Sequence, residues 1–167
     1  MNIKFTALNI LLPFALMLMS ASASSSMADI TVSVTVTASN CKINENQSVK
    51  AEFGSIQINK LTDARADVPV TISCDEEPAG TVSMAIIGTG TSFNSQALQT
   101  DVSGLGITLT SPSSTLLNLN TYYDINSIGM TGKTGTFNLK ARLVSDANTE
   151  LKGGEFNATA TLVIQVS

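Results

Sequence analysis

The chain has 167 residues, 43% of them apolar and 13% charged, with nine Lys and Arg against thirteen Asp and Glu for a net charge of −4. So few charges among so many apolar side chains exclude a disordered polar chain, and the acidic balance excludes nucleic acid as a natural partner. There is no histidine, no tryptophan and only two cysteines, so a histidine general base and a His-containing metal site are both excluded, and no metal or other cofactor is expected.

Residues 1–28 read as a secretory signal. Lys4 supplies the positive n-region, and residues 8–19 form an apolar run interrupted only by Asn9 and Pro13. The run is short of the ~20 residues that span a bilayer, which argues against a retained anchor. Ser26-Met27-Ala28 and Ala21-Ser22-Ala23 both place small residues where a signal peptidase needs them. Cleavage after Ala28 is preferred, with Ala23 as the alternative. Removal of residues 1–28 takes away Lys4 alone, leaving eight basic and thirteen acidic side chains and a net charge of −5. The rest fits one domain of about 100–150 residues.

The mature chain then opens on an alternating run. Ile30, Val32, Val34 and Val36 interleave with Thr31, Ser33, Thr35 and Thr37, the period-two signature of a strand. Cys41 and Cys74 follow, an even pair in an exported chain, for which a disulfide is the default and two free buried thiols the alternative. Val68-Pro69-Val70-Thr71-Ile72-Ser73 leads into Cys74, and Thr81 to Ile87 follows the turn Pro78-Ala79-Gly80. Ile107-Thr108-Leu109-Thr110 comes after Gly104-Leu105-Gly106, Phe137 to Leu143 alternates, and the chain closes on a β-prone stretch from Ala158 to Ser167. Gly, Pro, Asn, Asp and Ser punctuate these runs. No window after residue 28 has helical periodicity, so the fold class is an all-β sandwich of immunoglobulin-like type.

The two ends are the informative part, because termini are usually polar and frayed. No Lys, Arg, Glu or Pro lies between Ile30 and Thr37, and no charged side chain between Ala158 and Ser167. Unguarded strands of this kind need partners. Alternation gives the phase of a strand but not which chain supplies its neighbour. Two arrangements follow: each terminal strand pairs inside its own sandwich, or the N-terminal strand completes the sheet of another subunit, a heterologous contact that grows an open filament.

Four stretches in order resemble the minor subunits of chaperone–usher fimbriae, of the type 1 and P pilus kind. They are Asp29-Ile30-Thr31-Val32; Asp67 through Cys74; Ser103-Gly104-Leu105-Gly106-Ile107; and Ala141-Arg142-Leu143 followed by Gly154 through Thr161. The resemblance implies an incomplete immunoglobulin-like β-sandwich, the pilin fold, over residues 41–167, with an N-terminal donor-strand extension over residues 29–40. It implies three partners: a periplasmic pilus chaperone that first fills the groove of the incomplete sandwich, an outer-membrane usher, and the neighbouring pilus subunits. It places the protein, after passage through the periplasm, in an extracellular fimbrium. Ile30, Val32, Val34 and Val36 become the donor residues, and Leu162, Ile164, Val166 and Ser167 the strand on which the chaperone docks. Two departures are visible: residues 29–39 contain no glycine, where the family has one, and Val166 stands where the family has tyrosine.

Catalytic readings are weak beside this. Gly88-Thr89-Gly90 and Gly104-Leu105-Gly106 lack the third glycine and the following helix of a dinucleotide site, and read as turns. Asp75-Glu76-Glu77 has no calcium-loop spacing and reads as a solvated loop. Tyr122-Tyr123 offers rings for a sugar, against the plainer reading of packing. Asn46-Gln47-Ser48 and Asn157-Ala158-Thr159 match a glycan acceptor pattern that carries little weight in a bacterial pilin. The second functional reading is a self-complete surface adhesin that binds a host receptor or glycan. The roughly 139 residues left after removal of 28 from 167 leave no room for the extra lectin domain of the family's adhesins.

Overall fold

The computed structural model describes residues 28–34, 41–126 and 128–167, the first stretch as backbone. Residues 1–27, which hold nearly all of the expected signal, and residues 35–40, which include Val36, lie outside the described residues. The strands in chain order are β1 (Ala28–Val34), β2 (Cys41–Ile43), β3 (Val49–Glu52), β4 (Arg65–Cys74), β5 (Val82–Ile87), β6 (Leu98–Gln99), β7 (Leu105–Thr110), β8 (Leu116–Leu117), β9 (Tyr122–Asp124), β10 (Met130–Thr131), β11 (Thr134–Ser145) and β12 (Phe156–Val166). Among the described residues, the helical pieces are two 3-10 turns, Asn44–Asn46 and Ile58–Asp63.

The long strands are those with the alternating sequences. In β4, Ala66, Val68, Val70, Ile72 and Cys74 are buried while Asp67, Pro69 and Thr71 are exposed. In β11, Phe137, Leu139, Ala141 and Leu143 are buried while Asn138, Lys140 and Arg142 face water. One face of each strand is thus dry and one wet, the pattern of antiparallel sheets packed face to face. Sheet one runs β3-β1-β12-β5-β9; sheet two runs β2-β4-β11-β7-β6, with β10 added on β11 and β8 on β7. The core lies between them. β7 departs from the rule, since Leu105 through Leu109 are all buried. Its outer face is covered by the chain around Thr91 and Ala97, and a Cβ on Gly106 would come 2.7 Å from Thr91 Cγ2 and 3.1 Å from Ala97 Cβ. Gly104 just before it turns the chain at φ +78°.

Cys41 and Cys74 are directly opposite in the β2–β4 register and are joined by a disulfide. Past Ile43, where β2 ends, a side chain continues the pairing. Asn44 Oδ1 accepts the Thr71 N–H at 2.7 Å, and Asn44 Nδ2 donates to the Pro69 carbonyl at 3.3 Å. Asn44 has φ +48°, a left-handed conformation that asparagine tolerates better than other side chains. Asn120, at φ +59°, does the same at the end of β5: its Oδ1 accepts from Gly88 N–H at 3.1 Å and its Nδ2 donates to Gly88 O at 3.0 Å. The Asn44→Ala variant is therefore expected to lose about 1–2 kcal/mol, from two exposed hydrogen bonds and the left-handed backbone. Asn44→Gly, which keeps the backbone freedom, is expected to lose less. Equilibrium urea unfolding of the two variants measures the split, and equal losses would remove the backbone contribution.

Candidate functional site

β12 has two edges with different neighbours. On one side, residues Thr161 to Val166 pair antiparallel with β5. On the other, residues Phe156 to Leu162 pair parallel with β1. The far edge of β1 pairs antiparallel with β3. β1 is therefore a middle strand of sheet one, lying in a slot between β12 and β3, although it comes from the far end of the chain. Every other strand pairing among the described residues is antiparallel.

The register sets what faces the slot. Ile30 is level with Ala158 on one side and Ala51 on the other; Val32 is level with Ala160 and Val49; Val34 is level with Leu162. Ala51, Ala158, Ala160 and Leu162 are all buried. Asp29, Thr31 and Ser33 are level with Asn157, Thr159 and Thr161, of which Asn157 and Thr159 are exposed. Apolar thus meets apolar and polar meets polar along the whole strand, as a period of two on both strands requires. Alanine stands at three of the flanking positions, Ala158 and Ala51 at the Ile30 level and Ala160 at the Val32 level, where its side chain is the smallest an apolar position can carry. Of the four residues expected to act as the donor, Ile30, Val32 and Val34 sit on β1 of the chain's own sheet, and Val36 is outside the described residues.

The slot has two ends. At the Phe156 end it opens on an apolar cleft lined by Gly54, Ile56, Ile58, Leu61, Leu151 and Phe156. The Phe53 and Phe156 rings lie 6.0 Å apart there, and Ile58 is 52% exposed. At the other end, Cys41, Glu76, Glu77, Gly80, Val166 and Ser167 line a second cleft. Ser167 exchanges both backbone hydrogen bonds with Thr81, at 2.7 and 3.0 Å, and the absent side chain of Gly80 makes room for it. The four residues expected to form a docking strand divide between core and rim. Leu162 and Ile164 are 1% and 0% exposed between the sheets, Val166 is half-buried, and Ser167 is exposed.

The remaining motifs are taken up by the fold. Gly88 follows β5, and Gly104 and Gly106 flank and enter β7, with no helix after either pair. Tyr123 accepts the Asn118 N–H at 2.7 Å on its hydroxyl, while Tyr122 is 47% exposed. Asp75 lies in an exposed loop, its carbonyl held by Lys133 Nζ at 2.8 Å. Asn157 is held by Asp101, which accepts from its backbone N–H at 2.8 Å and its side-chain amide at 3.2 Å. Asp146 in the turn after β11 accepts the Asn148 N–H and the Thr149 hydroxyl, which together hold its carboxyl below the usual carboxylate range. Sequence reasoning missed β3, the second wall of the slot. Its only signal was the pair Val49 and Ala51, too short to stand out as alternation.

The family model for fimbrial protein matches residues 30–167. The fimbrial-like protein YfcQ of Escherichia coli is 32% identical over 127 residues, 73% of this chain and 76% of that protein. Among solved structures, the P pilus rod subunit PapA superposes with a TM-score of 0.60 at 17% identity, over 77% of this chain and 100% of that one. The P pilus adaptor subunit PapF superposes with a TM-score of 0.53 at 25% identity, over 77% of this chain and 96% of that one.

Proposed function

The chain belongs to the fimbrial protein family and has an immunoglobulin-like pilin fold, and from that premise we propose that it is a minor structural subunit of an adhesive pilus, polymerising by donor-strand exchange. It is a structural protein and not an enzyme, and it is a subunit of a surface fimbria that meets other pilus subunits. The observation that carries the finer reading is the position of β1. Sheet one is continuous only with that strand in place, because β12 and β3 do not pair with each other. A strand from another chain with the same alternation satisfies the same two edges. The 25% identity to an adaptor subunit supports a place among the minor components.

On this reading Ile30, Val32, Val34 and Val36 enter the slot of a neighbouring subunit. Each Val or Ile side chain so buried contributes roughly 1.5–3 kcal/mol, beside the main-chain ladder on two edges. A periplasmic chaperone holds the slot before assembly, docking along Leu162, Ile164, Val166 and Ser167, and hands the subunit to an outer-membrane usher. The test is co-expression with a matching chaperone and usher, with and without residues 29–38. The shortened chain is expected to co-purify with the chaperone and to be absent from fibres. Fibres containing the shortened chain as a strand donor, or loss of chaperone binding on shortening, would overturn the reading.

A further inference from the structure

The edge of β12 that faces β5 has a gap. Ser83, Ala85 and Ile87 of β5 are level with Gln165, Val163 and Thr161. The Val82 and Ile86 carbonyls point the other way, accepting from the Ile125 and Asn120 N–H groups. Backbone groups alternate sides along a strand, so the odd-numbered residues of β12 aim theirs toward β5. Past the end of β5, Asn157 finds a substitute partner. Its N–H donates to the Asp101 carboxylate at 2.8 Å and its carbonyl accepts the Asp101 N–H at 3.0 Å. Thr159 lies between Asn157 and Thr161, and among the described residues nothing pairs with its N–H and C=O on that side. The chain after β5 turns off at Gly88 and joins β6 instead, where the Thr89 carbonyl accepts the Gln99 N–H at 2.8 Å and Gly90 bridges to Leu98.

The gap opens on a cleft of about 390 Å³ lined by Thr89, Leu98, Gln99, Thr100 and Thr159. A second cleft, of about 320 Å³, shares Gln99 and Thr100 with the first and adds Ser92, Phe93, Asp101 and Ser103. Each falls within the roughly 300–1,000 Å³ of small-molecule sites. The walls are held from behind. Thr100 is 5% exposed, and its hydroxyl is shared between the Val102 and Leu105 carbonyls at 3.0 and 2.9 Å. Thr91 is 8% exposed, and its hydroxyl accepts the Asn94 N–H and donates to the Asn94 carbonyl. Loops tied in this way are preorganised, so a ligand does not have to order them.

The lining selects the chemistry of the ligand. Thr89, Ser92, Gln99, Ser103 and Thr159 are exposed, and each of these side chains both donates and accepts. No Lys or Arg lines either cleft, and the one carboxylate, Asp101, already holds Asn157. A phosphate, sulfate or carboxylate ligand would have no cation to meet. The apolar part of the lining is Phe93, Leu98, Val102 and Leu105, too little for an acyl chain or the apolar face of a helix. The ligand that fits is uncharged and rich in hydroxyls, with a C–H face to lie on the half-buried Phe93 ring.

We propose that the groove around Gln99 binds a neutral oligosaccharide, with the Gln99 amide and the open Thr159 backbone paired to its hydroxyls and the Phe93 ring under one sugar face. The site does not include Tyr122 or Tyr123, and it uses the edge of β12 that faces away from the slot. It therefore stands or falls independently of strand exchange.

To test this, the full mature chain is screened on immobilised neutral hexose and N-acetylhexosamine oligosaccharides beside their sialylated and sulfated counterparts. The best neutral probe is then titrated into nitrogen-labelled protein. Binding to neutral probes is expected, with the Thr159 backbone amide and the Gln99 side-chain amide among the signals that shift most. Gln99→Ala and Phe93→Leu are each expected to weaken binding about fivefold, the first with an unchanged urea unfolding midpoint. Tyr122→Ala is expected to bind as the parent does. Binding to no neutral probe at millimolar concentration, or to acidic probes alone, overturns the proposal. Shifts confined to residues outside 88–105 and 157–161 overturn it too, and that readout needs no variant to fold. So does a loss of binding in Tyr122→Ala with full binding retained in Gln99→Ala.

Discussion

Replacing both Cys41 and Cys74 by serine is expected to lower the unfolding free energy by about 3–4 kcal/mol, on the chain-entropy estimate for a loop of this length. The bond closes a sequence separation of 33 residues. It holds β2, a strand of three residues whose pairing with β4 spans only Cys41 to Ile43. A ladder this short does not hold its own register, so the covalent link sets it. Both sulfurs are buried, at 1% and 6% exposure for their residues, and serine places a hydroxyl in each dry position, adding to the loss. Guanidinium unfolding of the variant and of the oxidised and reduced parent measures the effect. A difference under about 1 kcal/mol would mean that the unfolded chain is already as compact without the bond.

The second large effect is expected within β12. Leu162→Ala removes a side chain that is 1% exposed and is level with Val34 on one side and Ile86 on the other. A cavity between two packed sheets cannot collapse far, and a loss of about 2–5 kcal/mol follows. Val166→Ala, at the half-buried end of the same strand, is expected to cost less than about 1 kcal/mol, since most of its surface change is in water. The contrast separates fold from docking in the proposed chaperone strand. Leu162 and Ile164 are part of the sandwich before any partner arrives, and Val166 and Ser167 are the positions whose substitution alters docking without first unfolding the subunit. Unfolding and chaperone-binding titrations of the two variants check this. Equal destabilisation by both would place Val166 in the core.

What could be read in advance follows from strand length. β4, β11 and β12 run for ten or more residues, and each shows enough alternation to betray its dry face. β3, β6 and β8 are two to four residues long, too short for any periodicity, and their pairing is imposed by the longer strands beside them. β1 was legible as a strand and its alternation gave the dry phase, but not the neighbour; only the register against Ala158, Ala160 and Ala51 supplies that. Gly104 and Gly106 were read together as a turn. Gly104 is one, while Gly106 lies inside β7 and is glycine for lack of space against Thr91 and Ala97. Asn44 and Asn120 gave no signal, because a side-chain amide that stands in for a strand residue is visible only once the backbone it pairs with is in place.

The Asn44 amide has a consequence for shape at a scale far above its own. β4 borders the outside of sheet two past β2, and along that border Thr71 has its N–H taken and Pro69 has none to give. A border without donors at two successive outward positions does not template a further strand. A protein proposed to grow by accepting strands is thereby closed to sideways fusion along this border while it stays open at the slot. On the proposed reading each unit takes one strand into its slot and gives one away, and growth by that route yields a thread and not a plaque.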